Sequence, residues 1–200
     1  MKTTIYLVRH GLVYNPDKIF YGRLPRYRLD EAGITGILDT ARHMKRLPIQ
    51  FVYASPLLRA RQTAAIIRET VQAPRMSLSR LLLEIKSSNQ GSVFDYNQGV
   101  VRDLYSPPVW KPGDERMEDI RDRMLKFIGR IARYHSGHHI VAVSHGDPLM
   151  ILRASLEGKP MSIASIRPDR SHYIRHGEVW RVTVDGDVVA IDDFYKPPVL

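Results

Sequence analysis

Two short apolar segments, each followed by the dipeptide His-Gly, constrain the fold of this chain more than any other feature. Thr3–Arg9 precedes His10-Gly11, and His139–Ser144 precedes His145-Gly146. Short runs rich in β-branched and other apolar residues are typical of strands buried on both faces of a parallel sheet. Ligands of such sheets bind beyond the carboxyl ends of the strands, so we expect both histidines to lie at one shared site.

Predicted strands and helices alternate along the rest of the chain. Sequence patterns predict strands at 50–54 and 75–79 and helices at 30–47, 56–71, 114–134 and 148–156. Residues 179–184 and 188–192 flank Asp185-Gly186, which is a strong signal for a two-residue hairpin. This order predicts one α/β domain over residues 1–200. It is expected to be a three-layer sandwich, a mostly parallel sheet flanked by helices, with an antiparallel C-terminal edge hairpin.

Helix boundaries are predicted from residues with strong end preferences. Asp30 and Asp114 are predicted N-caps, because a side-chain oxygen at that position accepts hydrogen bonds from the free N–H groups of the first turn. Pro56 is predicted within a first turn, where its missing N–H costs nothing, and Gly137 just beyond a helix end. Residues 90–112, rich in Gly, Pro, Asn and aromatic side chains, are predicted to form a loop-rich excursion.

Charge and cysteine content exclude several classes of function. The sequence has 30 Lys+Arg and 21 Asp+Glu, a formal net charge of +9, but the basic residues are dispersed and form no nucleic-acid-binding motif. A positive field also attracts small anions such as phosphate esters. Zero cysteines exclude disulfides, thiolate metal sites and a cysteine nucleophile, and no apolar run approaches the roughly 20 residues of a membrane span. We therefore expect a soluble, cytoplasmic protein with neither a membrane nor a nucleic acid as partner.

Arg9-His10-Gly11 combines a nucleophile with groups that bind anions. A neutral imidazole is a competent nucleophile toward phosphorus when one ring nitrogen is free and the other is held as an N–H donor. Arg9 is expected to lower the pKa of the imidazole and to bind phosphate oxygens with two N–H groups. Gly11 is expected to let the backbone approach the anion closely. Alone, the tripeptide is equally compatible with a solvated turn at the end of a strand.

Three further segments contain groups suited to the same chemistry. Arg59 lies in the first turn of the helix that opens within SPLLRARQTA at 55–64, and a helix N-terminus favours an anion. His145 is placed to donate a hydrogen bond to phosphoryl oxygens. Glu84, in the apolar run 81–85, is either a buried acid of raised pKa, as protonation of an alkoxide leaving group requires, or a loop residue. Taken singly, Arg59 also fits an exposed helix residue and His145 a structural one.

Together, these segments resemble one family in content and order. LVRHG at 7–11, SPLLRARQTA at 55–64, LLLEI at 81–85 and VSHGDP at 143–148 look like branch 1 of the histidine phosphatase (phosphoglycerate mutase-like) superfamily. The resemblance implies that His10 becomes a phosphohistidine without a metal or cofactor, and that Glu84 protonates the leaving group and then activates water. It also implies a set of phosphate- and substrate-binding residues, namely Arg9, Asn15, Gly22, Arg23, Arg59, His145 and Gly146.

The chain departs from the family pattern at two places. Leu12-Val13 stands where many members have Glu-Thr or Glu-Ser, which removes a hydroxyl and an acidic group from the expected pocket. In the family pattern a short turn leads from the glutamate to a glycine, whereas here Glu84 is followed by the longer stretch Ile-Lys-Ser-Ser-Asn-Gln-Gly. Asp147 is a substitute proton donor if it turns inward; otherwise it is a residue of the helix N-terminus.

The resemblance implies a phosphatase for small phosphate monoesters, with a phosphorylated metabolite or phosphate ion as partner. Within residues 87–110, where the cofactor-dependent mutases have a basic insert, the one basic residue is Arg102, which favours hydrolysis over phosphoglycerate mutase-type transfer. A phosphoprotein (phosphohistidine) phosphatase and a silent phospho-binding module remain alternatives. Another class is a metal-dependent hydrolase, with His135, His138 and His139 as ligands.

The sequence indicates less about which substrate the pocket selects. Arg23 is the best candidate for a second anionic contact, and the pocket entrance is expected to include Tyr21, Arg26 and Tyr27. The aromatic residues of the 90–112 excursion are candidates for a lid or for packing within it: Phe94, Tyr96, Tyr105 and Trp110. The sequence does not determine the oligomeric state, and a homodimer is one option.

Overall fold

The computed structural model describes residues 1–93, 103–167 and 172–198. The strands are β1 (Thr3–Arg9), β2 (Ile49–Ala54), β3 (Arg75–Leu78), β4 (His139–Ser144), β5 (Val179–Asp185) and β6 (Val188–Tyr195). The helices are α1 (Glu31–Met44), α2 (Leu58–Val71), α3 (Met117–Tyr134), α4 (Gly146–Leu156) and the short α5 (Ile163–Ile166), and a 3₁₀ turn covers Arg80–Leu82.

The strands of the described residues form one six-stranded sheet in the order β3-β2-β4-β1-β5-β6. The four strands from β3 to β1 are parallel, whereas β5 runs antiparallel to β1 and β6 antiparallel to β5. On β1, Ile5 and Leu7 pack into the core beneath α3 and α4, while Tyr6 and Val8 pack into the core beneath α1 and α2. Successive side chains of a strand point to opposite faces, so helices cover both faces of the sheet. The predicted three-layer α/β fold with its antiparallel C-terminal edge is confirmed.

Several helix ends differ from the prediction. Asp30 is the N-cap of α1 and accepts from the N–H of Gly33 at 2.6 Å, as expected. Asp114 is not the N-cap of α3: that helix begins three residues later, because the Asp119 carboxylate accepts from the backbone N–H of Arg116 and fixes the cap there. The Asp114 carboxylate instead binds the N–H and hydroxyl of Ser88.

Two proline positions also correct the prediction. Pro56 precedes α2, whose N-cap is Leu57 with extended backbone angles, so the proline is not within the first turn. Helix α4 begins at Gly146 rather than Pro148, so the proline is the third residue of the helix. The first N–H groups of a helix have no partner within it, and proline therefore costs no hydrogen bond there.

The strand pairing brings the two His-Gly motifs together. β1 and β4 are parallel neighbours with Arg9 opposite Ser144, so the following histidines leave the sheet side by side. The N–H of His10 extends the pairing by donating to the carbonyl of Ser144 at 3.1 Å, and the N–H of Ser55 after β2 donates to that of Val143 at 2.9 Å. Three strand ends therefore meet at one point of the sheet edge.

Gly11 has a packing role that its sequence context did not reveal. A Cβ at Gly11 would lie 2.7 Å from Cγ1 of Ile37 and 2.9 Å from the carbonyl oxygen of Gly33, both in α1. A Cβ at Gly33 would lie 2.1 Å from the carbonyl oxygen of Leu12. The two glycines therefore allow α1 to pack directly on the end of β1, a reason for Gly11 that does not involve an anion.

Within the described ranges, no helix combines the length and the apolar character that crossing a membrane requires.

Candidate active site

His10 is a buried imidazole whose proton position is fixed by its partners. It is 1% exposed, and its Nδ1 lies 2.7 Å from the carbonyl oxygen of Gly11, which can only accept, so Nδ1 carries the proton. The Nε2 atom is therefore unprotonated, and its lone pair accepts from Nε of Arg59 at 3.2 Å. Burial and then the positive charge of Arg59 hold the pKa of His10 well below its ordinary value. The ring is thus neutral, with an unprotonated Nε2.

Arg59 is fully buried in the first turn of α2. Its Nη2 donates to the carbonyl of Gly22 at 2.7 Å, and its guanidinium carbon lies 4.6 Å from the centre of the Tyr21 ring. Thr63, one turn further along α2, donates to the carbonyl of Arg59 at 2.9 Å and accepts from the N–H of Gly11 at 3.1 Å. These bonds fix the Arg59 guanidinium next to His10.

His145 packs edge-on against His10, with ring centroids 5.1 Å apart. Its Nε2 lies 2.8 Å from the hydroxyl oxygen of Ser55 at the end of β2. Its Nδ1 is buried and has no hydrogen-bond partner in the described parts of the chain. When the Ser55 hydroxyl donates to Nε2, the proton of the neutral ring resides on Nδ1 and can be donated to an oxygen of a bound anion. Burial and then the charge of Arg59 place the pKa of His145 well below its ordinary value.

Arg9 presents its guanidinium from the end of β1. Nη1 donates to the carbonyl of Ile174 at 2.5 Å, and the guanidinium carbon lies 5.1 Å from the centre of the Tyr173 ring. Its Nε is buried and lacks a hydrogen-bond partner among the described residues. The positive charge of Arg9 also acts on His10, whose pKa it helps to lower.

Glu84 reaches the site from the segment after the 3₁₀ turn. Its side chain is 13% exposed, and Oε2 lies 4.0 Å from Nδ1 of His145. Because His145 is neutral, this contact is not an ion pair. Burial, followed by the negative charge of Asp147, raises the pKa of Glu84 above its ordinary value. A carboxyl with a raised pKa keeps its proton at higher pH, which is the property that a general acid needs.

His176 is a third histidine of the site, and sequence analysis missed it. Its ring centroid lies 5.5 Å from that of His10, and its buried Nε2 has no hydrogen-bond partner in the described ranges. The loop before β5 places His176 next to His10, because two backbone hydrogen bonds join this loop to the end of β1. The N–H of Gly177 donates to the carbonyl of Arg9, and the N–H of Arg9 donates to the carbonyl of Glu178. No motif surrounds His176, and only the pairing of β5 with β1 could have pointed to it.

Asp147 does turn inward, but its carboxylate is fully engaged. It is 2% exposed and accepts from the hydroxyls of Tyr105 at 2.7 Å and Tyr173 at 2.5 Å and from Nη2 of Arg167 at 2.5 Å. Burial alone would raise the pKa of Asp147, but the Arg167 charge and these hydrogen bonds hold it below its ordinary value. An ionised, fully bonded carboxylate is a poor proton donor, so Glu84 is the better candidate.

Gly146 contributes through its missing side chain. A Cβ at this position would lie 2.1 Å from the hydroxyl oxygen of Tyr173, which is bound to Asp147. The glycine therefore permits the tyrosine to pack against the backbone next to His145. Gly22, at φ +39°, contributes the carbonyl that binds Arg59.

Two residues predicted to contact the substrate, Asn15 and Arg23, instead form hydrogen bonds with other parts of the protein. Both polar atoms of the Asn15 amide are bonded to the backbone of Ile19, so Asn15 stabilises its own loop. Arg23 donates to the carbonyl of Glu84 at 2.7 Å and to the carboxylate of Glu115 at 2.8 Å. In this arrangement Arg23 faces the protein, not an incoming anion.

The residues expected at the pocket entrance and in the lid do not share one location. Tyr21 stacks on Tyr27 with ring centroids 5.0 Å apart, beside Arg59, whereas Arg26 is exposed. Of the lid candidates, Tyr105 binds Asp147, and the Trp110 ring lies 5.0 Å from the guanidinium carbon of Arg116. Phe94, Tyr96 and the basic Arg102 lie outside the described residues.

The three histidines of the metal-dependent alternative do not converge. His135 contacts the hydroxyl of Tyr53, His138 the carbonyl of Ser136, and His139 the hydroxyl of Tyr6. Among the described residues, no group of three or more His, Cys, Asp or Glu side chains is arranged to hold a metal ion.

Comparison with known proteins agrees with this geometry. Rv0525, an uncharacterised protein of Mycobacterium tuberculosis strain H37Rv, is 35% identical over 170 residues, which cover 79% of this chain and 80% of that protein. A metal-independent phosphoserine phosphatase of Arabidopsis thaliana is 27% identical over 177 residues, which cover 78% of this chain and 72% of that protein. Among solved structures, Bacillus stearothermophilus YhfR superposes with a TM-score of 0.80 at 22% identity, covering 96% of both chains, and so shares the fold.

A family model provides the assignment. The model of the histidine phosphatase superfamily (branch 1) matches residues 5–175, which include His10, Arg59, Glu84 and His145. The chain therefore belongs to branch 1 of the histidine phosphatase superfamily.

Proposed function

We propose that this protein is a metal-independent phosphatase that hydrolyses small phosphate monoesters through a phosphohistidine at Nε2 of His10. The observation that carries the proposal is the neutral, buried His10 ring with an unprotonated Nε2, which lies beside the donors of Arg59 and His145 and near the positive charge of Arg9. A phosphate dianion matches these positive and N–H groups in charge and hydrogen bonding.

The first half-reaction forms the covalent intermediate. The Nε2 lone pair attacks phosphorus, a new N–P bond forms, and the bond between phosphorus and the ester oxygen breaks with its electron pair leaving on that oxygen. Glu84 gives its proton to the leaving oxygen, so an alcohol departs and Glu84 becomes a carboxylate. Arg9, Arg59 and His145 stabilise the charge on the remaining phosphoryl oxygens.

The second half-reaction returns the enzyme to its starting state. The Glu84 carboxylate takes a proton from a water molecule, whose oxygen attacks phosphorus as the N–P bond breaks. The electron pair of that bond returns to Nε2 of His10, inorganic phosphate leaves, and Glu84 is again protonated. No redox step occurs, and the Nδ1–H bond to the Gly11 carbonyl holds the ring in one orientation throughout.

A second candidate function is phosphoryl transfer of the phosphoglycerate mutase type. Relatives of similar identity are named as putative phosphoserine phosphatases and as probable phosphoglycerate mutases, so identity does not separate the two activities. Arg102 as the one basic residue of 87–110 favours hydrolysis, because a mutase must hold a reorienting phosphorylated intermediate away from water. The intact nucleophile and proton donor also favour an enzyme over a silent phospho-binding module. A phosphohistidine protein substrate, a cytoplasmic location and a homodimer stay predictions.

The test is hydrolysis of p-nitrophenyl phosphate in the presence of EDTA, with 3-phosphoglycerate conversion measured in parallel. We expect turnover by the wild type, loss of turnover in His10→Ala, and an acid-labile phosphoryl label on the wild type alone. His43→Ala, which changes an exposed histidine of α1, is the matched control and should behave as the wild type. Turnover that survives in His10→Ala, or that EDTA abolishes, would contradict the proposal. Mutase activity well above hydrolysis would replace it with the second candidate.

A further inference from the structure

The segment that carries Glu84 is irregular, yet its backbone is held at three points by partly buried ionic side chains. The carbonyl of Leu81 accepts from Nη1 of Arg123 at 2.7 Å. The carbonyl of Glu84 itself accepts from Nε of Arg23 at 2.7 Å and from Nη2 of Arg123 at 3.4 Å. The N–H of Lys86 donates to Oε2 of Glu115 at 2.9 Å. The backbone is thus fixed before, at and after the candidate proton donor.

Glu115 joins the two arginines of this arrangement. Its Oε2 accepts from Nη2 of Arg23 at 2.8 Å, and its Oε1 accepts from Nε of Arg123 at 3.0 Å. Its own N–H donates to the carbonyl of Lys86 at 2.9 Å, so side chain and backbone of one residue both bind the Glu84 segment. The side chain of Arg23 is 24% exposed, that of Glu115 17% and that of Arg123 12%. These charge-assisted bonds are therefore largely shielded from water.

We infer that Arg23, Glu115 and Arg123 form a clamp that positions Glu84 for proton transfer. The inference rests on the proposed function, because it assigns these residues to the proton donor of that reaction. Arg23 follows the nucleophile in sequence and Arg123 lies on α3, so the clamp also connects Glu84 to the loop that contains Gly22. Arg23 is therefore a positioning residue and not a second anionic contact for the substrate.

Positioning matters for one step more than for the others. A general acid must lie about 2.6–3.2 Å from the oxygen that it protonates, and a displacement of about 1 Å in an active site can cost about 100-fold in rate. p-Nitrophenolate leaves without help because it is a weak base, whereas an alkoxide needs its proton. Loosening the clamp should therefore harm alkyl phosphates far more than aryl phosphates with good leaving groups.

The experiment compares formation of the phosphoenzyme from p-nitrophenyl phosphate and from glycerol 2-phosphate in single-turnover assays. Glu115→Gln keeps the shape but removes the charge that holds both arginines. We expect a loss of about 10- to 100-fold for glycerol 2-phosphate, and no more than about threefold for p-nitrophenyl phosphate, with KM unchanged for both. Glu118→Gln changes an exposed carboxylate of α3 and is the matched control.

A double-variant cycle tests whether the clamp acts through Glu84. Glu84→Gln should show the same dependence on the leaving group, and Glu115→Gln added to it should cost less than about twofold more, because residues that act as one unit are not additive. Arg23→Lys should retain more activity toward glycerol 2-phosphate than Arg23→Ala, which keeps the test available if Glu115→Gln does not fold. Thermal unfolding of every variant shows whether the compared proteins are folded.

Three outcomes would overturn the inference: equal losses for both substrates, a fully additive double variant, or, in Arg23→Ala, a rise in KM for 3-phosphoglycerate, which carries a second anionic group, without a rise for glycerol 2-phosphate. The first two would assign the residues to general stability, and the third would restore Arg23 as a substrate contact. A wild type that hydrolyses neither substrate would instead overturn the proposed function, so the two failures are distinguishable.

Discussion

The two sides of the active site are built in different ways. In the proposed mechanism the phosphoryl-binding side consists of His10, Arg59 and His145, which directly follow β1, open α2 and directly follow β4. The proton-donor side consists of Glu84 on an irregular segment, which side chains from distant parts of the chain fix in place. One side takes its geometry from the ends of regular elements, and the other takes it from long-range ion pairs. The first is therefore rigid by construction, whereas the second depends on contacts that single substitutions can remove.

The largest expected effect comes from breaking the phosphoryl-binding side. Arg59→Ala removes a donor next to the reacting atoms, and we expect kcat/KM to fall by about 10²- to 10³-fold for every substrate, whatever its leaving group. Steady-state kinetics with p-nitrophenyl phosphate and glycerol 2-phosphate measure this. Arg61→Ala, an exposed arginine on the same helix, should be unaffected. A loss confined to glycerol 2-phosphate would show that the two sides are not functionally separate.

A smaller effect is expected at the histidine that no motif marks. His176→Ala removes a buried, unpartnered ring nitrogen beside His10, and we expect a loss of about tenfold in kcat/KM, the lower end of the value of a hydrogen bond to a charged group. The loss should be equal for both leaving groups, and inorganic phosphate should bind more weakly by a similar factor. His176→Asn retains an N–H donor and should recover part of the activity. Phosphate affinity that stays unchanged in His176→Ala would place this ring outside the phosphoryl-binding side.

The smallest effect is a shift in pH dependence on the proton-donor side. Glu84 must be protonated to act as an acid, so activity toward alkyl phosphates should fall as pH rises through its raised pKa. Burial is the main cause of that raised pKa and the charge of Asp147 the next, so Asp147→Asn should lower it. The alkaline limb of kcat/KM should then move to lower pH.

Tyr105→Phe is the control for this shift, because it removes one hydrogen bond to Asp147 without changing a charge. Its alkaline limb should remain at the pH of the wild type. The explanation would be wrong if the limb of Asp147→Asn stayed in place or moved to higher pH.

The same contrast explains how far the sequence could predict the site. His10, Arg59 and His145 were predictable because strand patterns and a helix N-terminus are local, and because parallel strands end at one edge of a sheet. The positions of Arg23 and His176 were not predictable, since each depends on which distant segment lies next to it. Arg23 meets Glu115 across 92 positions of sequence. Asp114 is not an N-cap for a related reason, because its carboxylate binds Ser88, 26 positions earlier in the sequence.

The pairing of β1 with β4 also has a consequence for folding. The strand that precedes His10 and the strand that precedes His145 are far apart in the sequence, with Arg9 opposite Ser144. Closing so long a loop costs chain entropy before any contact is gained, and pairings of this kind slow folding. His10 and His145 therefore meet only once this long-range pairing of β1 with β4 has formed. During refolding, recovery of phosphoryl transfer should follow completion of the central sheet, so the activity reports on the native state rather than on partly folded forms.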